Sequence, residues 1–136
     1  MQISIELILA GFLFLLTLTL SISFLIIELN RKEIDTQLIK KANTKINQTS
    51  KLDPHLSLME SHKIMVNTVK TSFKNKKLNA AKMLKHVAKK LKNEKEFWYF
   101  HRMRNKAAHE DDFRVSKDDA AKARKVFQEA LKTTSV

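Results

Sequence analysis

The stretch Phe97–His109, FWYFHRMRNKAAH, decides the fold that this sequence predicts. Its small and apolar residues recur at steps of three and four, which is the spacing of one face of an α-helix and not the alternation of a strand. These residues are Phe97, Phe100, Met103, Ala107 and Ala108. The stretch therefore predicts an amphipathic helix that runs from near Glu94 to near His109.

Three further stretches on either side have the same helical spacing. Two precede the first stretch, at Leu58–Phe73 and Leu78–Leu91, and one follows it, at Ala120–Leu131. The last begins after Ser116, whose hydroxyl can cap the first turn of a helix. Each stretch is long enough for two or more turns, so the sequence predicts four helices joined by short loops.

Signals for strands and hairpins are missing from this part of the sequence. The only glycine is Gly11 and the only proline is Pro54, so turns of the Asn-Gly or Asp-Gly kind are absent. We therefore expect an all-α chain with a small four-helix bundle over residues 55–136.

An uncharged run, LILAGFLFLLTLTLSISFLII, occupies Leu7–Ile27. About 20 helical residues cross a hydrocarbon layer of about 30 Å, so the run predicts a single transmembrane helix within residues 1–30. A cleaved signal peptide is the alternative, but no Lys or Arg precedes the run and no small-x-small site follows it. Basic residues begin at Arg31, which predicts a single-pass protein of the inner membrane with a cytoplasmic C-terminal domain.

Residues 31–54 lie between the apolar run and the bundle. Apolar residues such as Leu38, Ile39 and Ile46 are too sparse there for a strong core face. The segment predicts a juxtamembrane helix that fades into a polar linker, with a boundary near Asn47–Pro54. The sequence thus divides into an anchor at 1–30, this linker and the bundle at 55–136.

The chain carries a net charge of +12, and all 26 Lys and Arg residues lie after residue 30. Such a charge favours phosphate-rich partners, either nucleic acid or anionic lipid. A genome rich in lysine codons is the alternative explanation. The chain has no cysteine, which excludes disulfides and thiolate chemistry, and its histidines do not follow a zinc-binding pattern. We therefore expect neither a metal nor a cofactor.

Lysines crowd the predicted helix at Leu78–Leu91, and no acidic residue occurs between Glu60 and Glu94. Such lysines can bind RNA phosphates, or they can simply keep a helix face in water. The candidate RNA-binding residues on this helix are Lys82, Lys85, Lys89 and Lys90.

Arg104, Asn105 and His109 are the candidate catalytic residues. Asn105 and His109 are four residues apart and share a helix face, and the long side chain of Arg104 can reach toward it. An imidazole can move a proton in phosphodiester cleavage while a guanidinium stabilises the charged phosphorane, with no need for a metal. The alternative is that Arg104 and His109 pair with nearby acids and stabilise the helix end.

The stretch FHRMRNKAAHEDD, with SKDDAAKARKVFQEALK after it, resembles the C-terminal half of a higher eukaryotes and prokaryotes nucleotide-binding (HEPN) domain. That family is a bundle of four or five helices, with an Arg, a polar residue and then a His at the end of its penultimate helix. Arg104, Asn105 and His109 match this pattern. Arg102 also stands at a spacing from His109 that the family permits, so the resemblance leaves open which of the two arginines acts. Arg102 is also a candidate RNA-binding residue. The apolar run departs from the usual soluble members.

Members of that family that cut RNA pair two protomers, so that both Arg and His sets line one cleft, and they use the RNA 2′-hydroxyl as nucleophile without a metal. The resemblance implies a membrane-tethered homodimeric endoribonuclease of the toxin or phage-defence kind, with RNA as substrate and an antitoxin or similar protein as a further partner. Arg104 would stabilise the phosphate, Asn105 would be an orienting polar residue and His109 would transfer the proton. Two other functions remain open: a non-catalytic module that binds RNA, a nucleotide or a protein, and a scaffold whose lysines bind anionic lipid.

Overall fold

A computed structural model of the chain describes residues 5–73 and 78–134, and these contain helices and no strand. The all-α prediction is confirmed for this part of the chain. The five α-helices are α1 (Ile5–Gln48), α2 (Pro54–Ser72), α3 (Ala80–Ala88), α4 (Glu94–His109) and α5 (Lys117–Lys132), and a 3-10 turn (Thr49–Lys51) follows α1.

The chain divides into two compact units, one up to Ile34 and the other from Asp35 onward. In the first unit, Ile5–Leu29 is long and apolar enough to cross a membrane, and a signal sequence would have the same features. The hydroxyls of Thr17, Thr19, Ser21 and Ser23 donate to carbonyls of the same helix three or four residues earlier. These hydroxyls are therefore satisfied without water, as an apolar surrounding requires.

The helices of the second unit begin at polar side chains that cap them. Each cap accepts a hydrogen bond from a backbone N–H in the first turn, at 2.9–3.2 Å, which typically contributes about 1 kcal/mol. The four caps are Asp53, Asn79, Asn93 and Ser116. The start of α5 predicted at Ser116 is confirmed, and these local signals also fix where α4 begins.

The core of the second unit is built around α2, which packs most extensively against α5 and also contacts α3 and α4. Leu58 and Met65 from α2, Phe97 from α4 and Phe127 from α5 are fully buried. The rings of Phe97 and Phe127 meet edge to face with centroids 6.3 Å apart. This packing holds α4 by its apolar face and leaves the opposite face of the helix exposed.

The last part of α1 also belongs to this core. The sequence predicts a helix fading into a polar linker here, and the structure differs, because Ile39, Ala42 and Ile46 are buried in the same cluster as the residues of α2–α5. Their spacing of three and four residues places them on one face. Ala42 completes that face, and a pattern sought only among large apolar residues misses it. The compact helical unit therefore begins at Asp35.

Candidate functional site on helix α4

Helix α4 carries all three predicted catalytic residues in its last two turns. Arg104 and Asn105 are half-buried, and His109, the last residue of the helix, is exposed. The predicted core face is confirmed at Phe97, Phe100, Met103 and Ala107. The prediction is wrong for Ala108, which is exposed. This residue lies about a quarter-turn beyond the centre of the buried face.

Arg104 and Asn105 contact each other directly. The Nη1 of Arg104 donates to the Oδ1 of Asn105 at 3.3 Å, a long hydrogen bond. The Nε of Arg104 is buried, and no described group accepts its hydrogen. A buried donor without an acceptor is costly, because it has lost water and gained nothing. Arg104 therefore keeps hydrogen-bonding capacity that the fold does not use.

His109 does not join this pair. Among the residues that the structure describes, no hydrogen bond or ion pair links His109 to Arg104 or Asn105. Five residues of α-helix turn the chain by about 140° beyond a full turn, so Arg104 and His109 leave the helix in different directions. The described ion pairs also do not include Arg104 or His109.

Arg102 is the arginine that shares a face with His109. Seven residues separate the two, which is within about 20° of two full turns, and both side chains are exposed. Arg104, by contrast, is packed toward the bundle. The structure thus gives the two candidate arginines different surroundings: Arg102 is exposed on the face of His109, two turns before it, and Arg104 is half-buried.

A pair of histidines, which the motif does not include, lies beside Arg104. The Nε2 of His62 on α2 is 2.9 Å from the Nδ1 of His101 on α4, so one ring donates a hydrogen bond to the other. His62 is buried, with its ring edge-on to Phe127 at 5.3 Å, and His101 packs edge-on against Trp98 at 5.5 Å. His62 falls on the apolar spacing of α2, and this was the available sequence signal that it points inward.

Burial and positive charge keep both rings of this pair neutral at pH 7. Burial, followed by the nearby His101 and Arg104, lowers the pKa of His62 to about 3. Burial, Arg104 and Arg102 likewise lower the pKa of His101. The charges that act on the pair are all positive, so the surroundings of Arg104 favour an anion.

The predicted RNA-binding lysines lie on another helix. Lys82, Lys85, Lys89 and Lys90 are all exposed along or just after α3. The Nζ of Lys90 is 3.5 Å from the carbonyl oxygen of Thr133. No described contact joins these lysines to Arg104, Asn105 or His109, so the structure does not bring the two predicted sets together.

The histidine pair does not form a metal site with further ligands. Within residues 5–73 and 78–134, no group of three or more His, Cys, Asp and Glu side chains could hold a metal ion. Comparison of the chain with protein-family models, with curated proteins and with solved structures finds no match. The residues of α4 and the charge of the chain are therefore the features that bear on its function.

Proposed function

We propose that the chain is a membrane-tethered, metal-independent endoribonuclease of the HEPN type, with its catalytic residues on the second half of α4. One observation supports this most directly: α4 is the penultimate helix of a small bundle and ends on an exposed histidine, with Arg104 and Asn105 one turn before it. This is the arrangement that the resemblance implies for an RNA-cutting member.

The reaction that suits these residues is an attack of the RNA 2′-oxygen on the adjacent phosphorus. His109 takes the proton from the 2′-hydroxyl, the bond between phosphorus and the 5′-oxygen breaks, and the 5′-oxygen receives a proton. The products are a 2′,3′-cyclic phosphate and a 5′-hydroxyl. A guanidinium stabilises the negative charge that builds up on the phosphorane, and the half-buried Arg104 carries the guanidinium that we assign to that role.

A homodimer supplies what one copy lacks. The step needs a base and an acid, and one chain offers one exposed histidine at this helix end. Arg104 and His109 also leave α4 about 140° apart, so two copies facing each other would combine the Arg of one with the His of the other. We therefore place the site in a cleft between two protomers, with Asn105 orienting Arg104.

The apolar helix Ile5–Leu29 would confine cleavage to the inner face of a membrane. Uncontrolled RNA cleavage harms the cell that carries it, which suits a toxin or a phage-defence effector held in check by an antitoxin or another partner protein. The exposed lysines of α3 would hold RNA near the site through its phosphates.

The test uses the full chain in a non-ionic detergent with EDTA. We expect RNA cleavage that leaves 2′,3′-cyclic phosphate ends and that disappears in His109→Ala, because His109 is exposed and its loss leaves the core intact. His55→Ala is the matched control, since His55 is a histidine on another helix, at the start of α2. If His109→Ala cuts RNA as fast as the unchanged chain, the catalytic assignment is wrong.

The second candidate function is a module that binds RNA without cutting it. It is favoured by the direction of Arg104, which leaves α4 about 140° away from His109 within one chain. RNA that binds to the full chain and is recovered intact would select this function over the nuclease.

A further inference from the structure

The outer face of α4 carries three cations and an aromatic ring in one row. The steps between these residues are four, three, four and three, so they share a face. We call this row the α4 stripe; it consists of Lys95, Tyr99, Arg102, Lys106 and His109, all of them exposed. At 1.5 Å per residue the stripe is about 21 Å long.

The cations of the stripe are available to a partner. The ion pairs among the described residues are Lys63 with Glu60 and Lys122 with Asp118, and neither involves the stripe. Lys106 lies 6.0 Å from the centre of the Phe113 ring, and no described carboxylate pairs with its charge.

Tyr99 is unusual among the large apolar side chains of the unit that begins at Asp35. Most of those described are buried, and the exposed ones are Leu52, Leu56 and Tyr99. Tyr99 is the only ring of the three, it is 49% exposed, and it stands between Lys95 and Arg102. An exposed ring flanked by unpaired cations offers a flat apolar surface next to sites for phosphate.

This chemistry fits an unpaired nucleotide strand. Aromatic side chains stack on free base faces, and neighbouring cations bind the phosphates between those bases. Bases in a duplex are already stacked on one another, so a duplex could use only the cations. The acidic residues Glu110, Asp111 and Asp112 follow His109 and repel phosphate, which sets the end of the row.

We propose that the α4 stripe binds single-stranded RNA, with a base stacked on Tyr99 and phosphates on Lys95, Arg102 and Lys106, and leads the strand to His109. The choice of RNA over DNA depends on the proposed nuclease function, because only RNA has the 2′-hydroxyl. The proposal that the α4 stripe binds a single strand is supported by the geometry and charge of α4, independently of cleavage.

The test measures binding separately from cleavage. The full chain carrying His109→Ala, in a non-ionic detergent, is titrated into a labelled oligouridylate and into an RNA duplex of equal length, and fluorescence anisotropy is followed. Adding Tyr99→Ala should weaken binding of the single strand by about 5- to 100-fold and leave duplex binding unchanged. Tyr99→Phe keeps the ring and should restore most of the affinity.

The cations are tested by the dependence of affinity on salt. Lys95→Gln and Lys106→Gln should each reduce the slope of log affinity against log salt by roughly 0.7, the value for one phosphate contact on a single strand. Lys122→Gln is the matched control, because it removes the same charge from an exposed lysine that is paired with Asp118. It should leave the slope unchanged.

Two results would refute the proposal that the α4 stripe binds single-stranded RNA. One is a Tyr99→Ala protein that binds the single strand as tightly as its parent; the other is a Lys122→Gln protein that loses as much slope as Lys95→Gln, which would show a diffuse field. A change of molar mass in Tyr99→Ala with unchanged RNA affinity would assign the face to a second copy and also refute the proposal.

The failure of the stripe and the failure of the nuclease can be told apart. If the unchanged chain cuts RNA while Tyr99→Ala binds RNA normally, the proposed role of the α4 stripe is wrong and the proposed nuclease function is retained. If binding depends on Tyr99 but the unchanged chain never cuts, the stripe is correct and the nuclease is wrong.

Discussion

The buried histidine pair predicts that acid destabilises the helical bundle within a defined pH range. The unfolded chain binds a proton at His62 near pH 6.5, whereas the folded chain binds it only near pH 3, because burial and the neighbouring His101 and Arg104 disfavour the charge. Protons therefore favour unfolding between these values. The contribution of His62 to stability is complete above pH 6.5 and is lost as the pH falls through this range.

The magnitude follows from the width of that range. One unit of pKa corresponds to about 1.36 kcal/mol, so the free energy of unfolding should fall by about 2–3 kcal/mol between pH 7 and pH 4.5 through His62 alone. The lowered pKa of His101 acts in the same direction. Between pH 8 and pH 7 both rings are mostly neutral in either state, so the pair should change the free energy of unfolding by only about 0.3 kcal/mol in this interval.

The assay is urea unfolding of the full chain in a non-ionic detergent, followed by the fluorescence of Trp98, the only tryptophan in the sequence. Trp98 lies against His101 and so reports on this part of the bundle. His62→Leu removes the titrating group and fills the site beside Phe127 with an apolar side chain. This variant should lose about 2–3 kcal/mol less than the unchanged chain on acidification. Equal losses in both proteins would refute the argument from burial and charge.

Four further predictions concern the site, the assembly, the core and the topology. Replacing Arg104 by Gln should slow RNA cleavage about as much as His109→Ala. The double variant should be little slower than either single variant, because the losses of rate are not additive when two groups act together. Additive losses in single-turnover rates would contradict this. Light scattering in detergent should find a dimer, and a monomer that still cuts RNA would exclude a shared cleft. Ile46→Ala should lower the free energy of unfolding by about 2–5 kcal/mol, whereas the exposed Leu52→Ala should change it by less than about 0.5 kcal/mol, both measured in urea. A reporter fused after residue 136 should be active in the cytoplasm, and its digestion by protease added to intact cells would reverse the assigned topology.

Local sequence signals predict the helices of the bundle well. The spacing of Phe97, Phe100, Met103 and Ala107 defines the buried face of α4, and Ser116 caps α5 as its position suggests. These features depend on neighbours within a few residues, and such interactions can be read from spacing.

The features that the sequence did not reveal depend on distant contacts. His62 and His101 are 39 residues apart in sequence and meet only because α2 packs beside α4. Ile46 is buried by residues far along the chain, so its own segment looks too polar for a core. Helix geometry alone predicts the direction of Arg104 relative to His109. The burial of Arg104 depends on how α4 packs in the bundle, which spacing does not predict.

The packing of α2 against α5 limits the order in which this chain can fold during synthesis. The two helices make the most extensive contact among the described elements, and Arg124 Nη1 donates to Ser57 Oγ at 2.8 Å across it. The ribosome produces α2 before α3, α4 and α5, so α2 finds its main partner only after α4 has been synthesised. Until then α4 has no completed core to support it. The bundle therefore cannot complete its core during synthesis before α5 has left the ribosome.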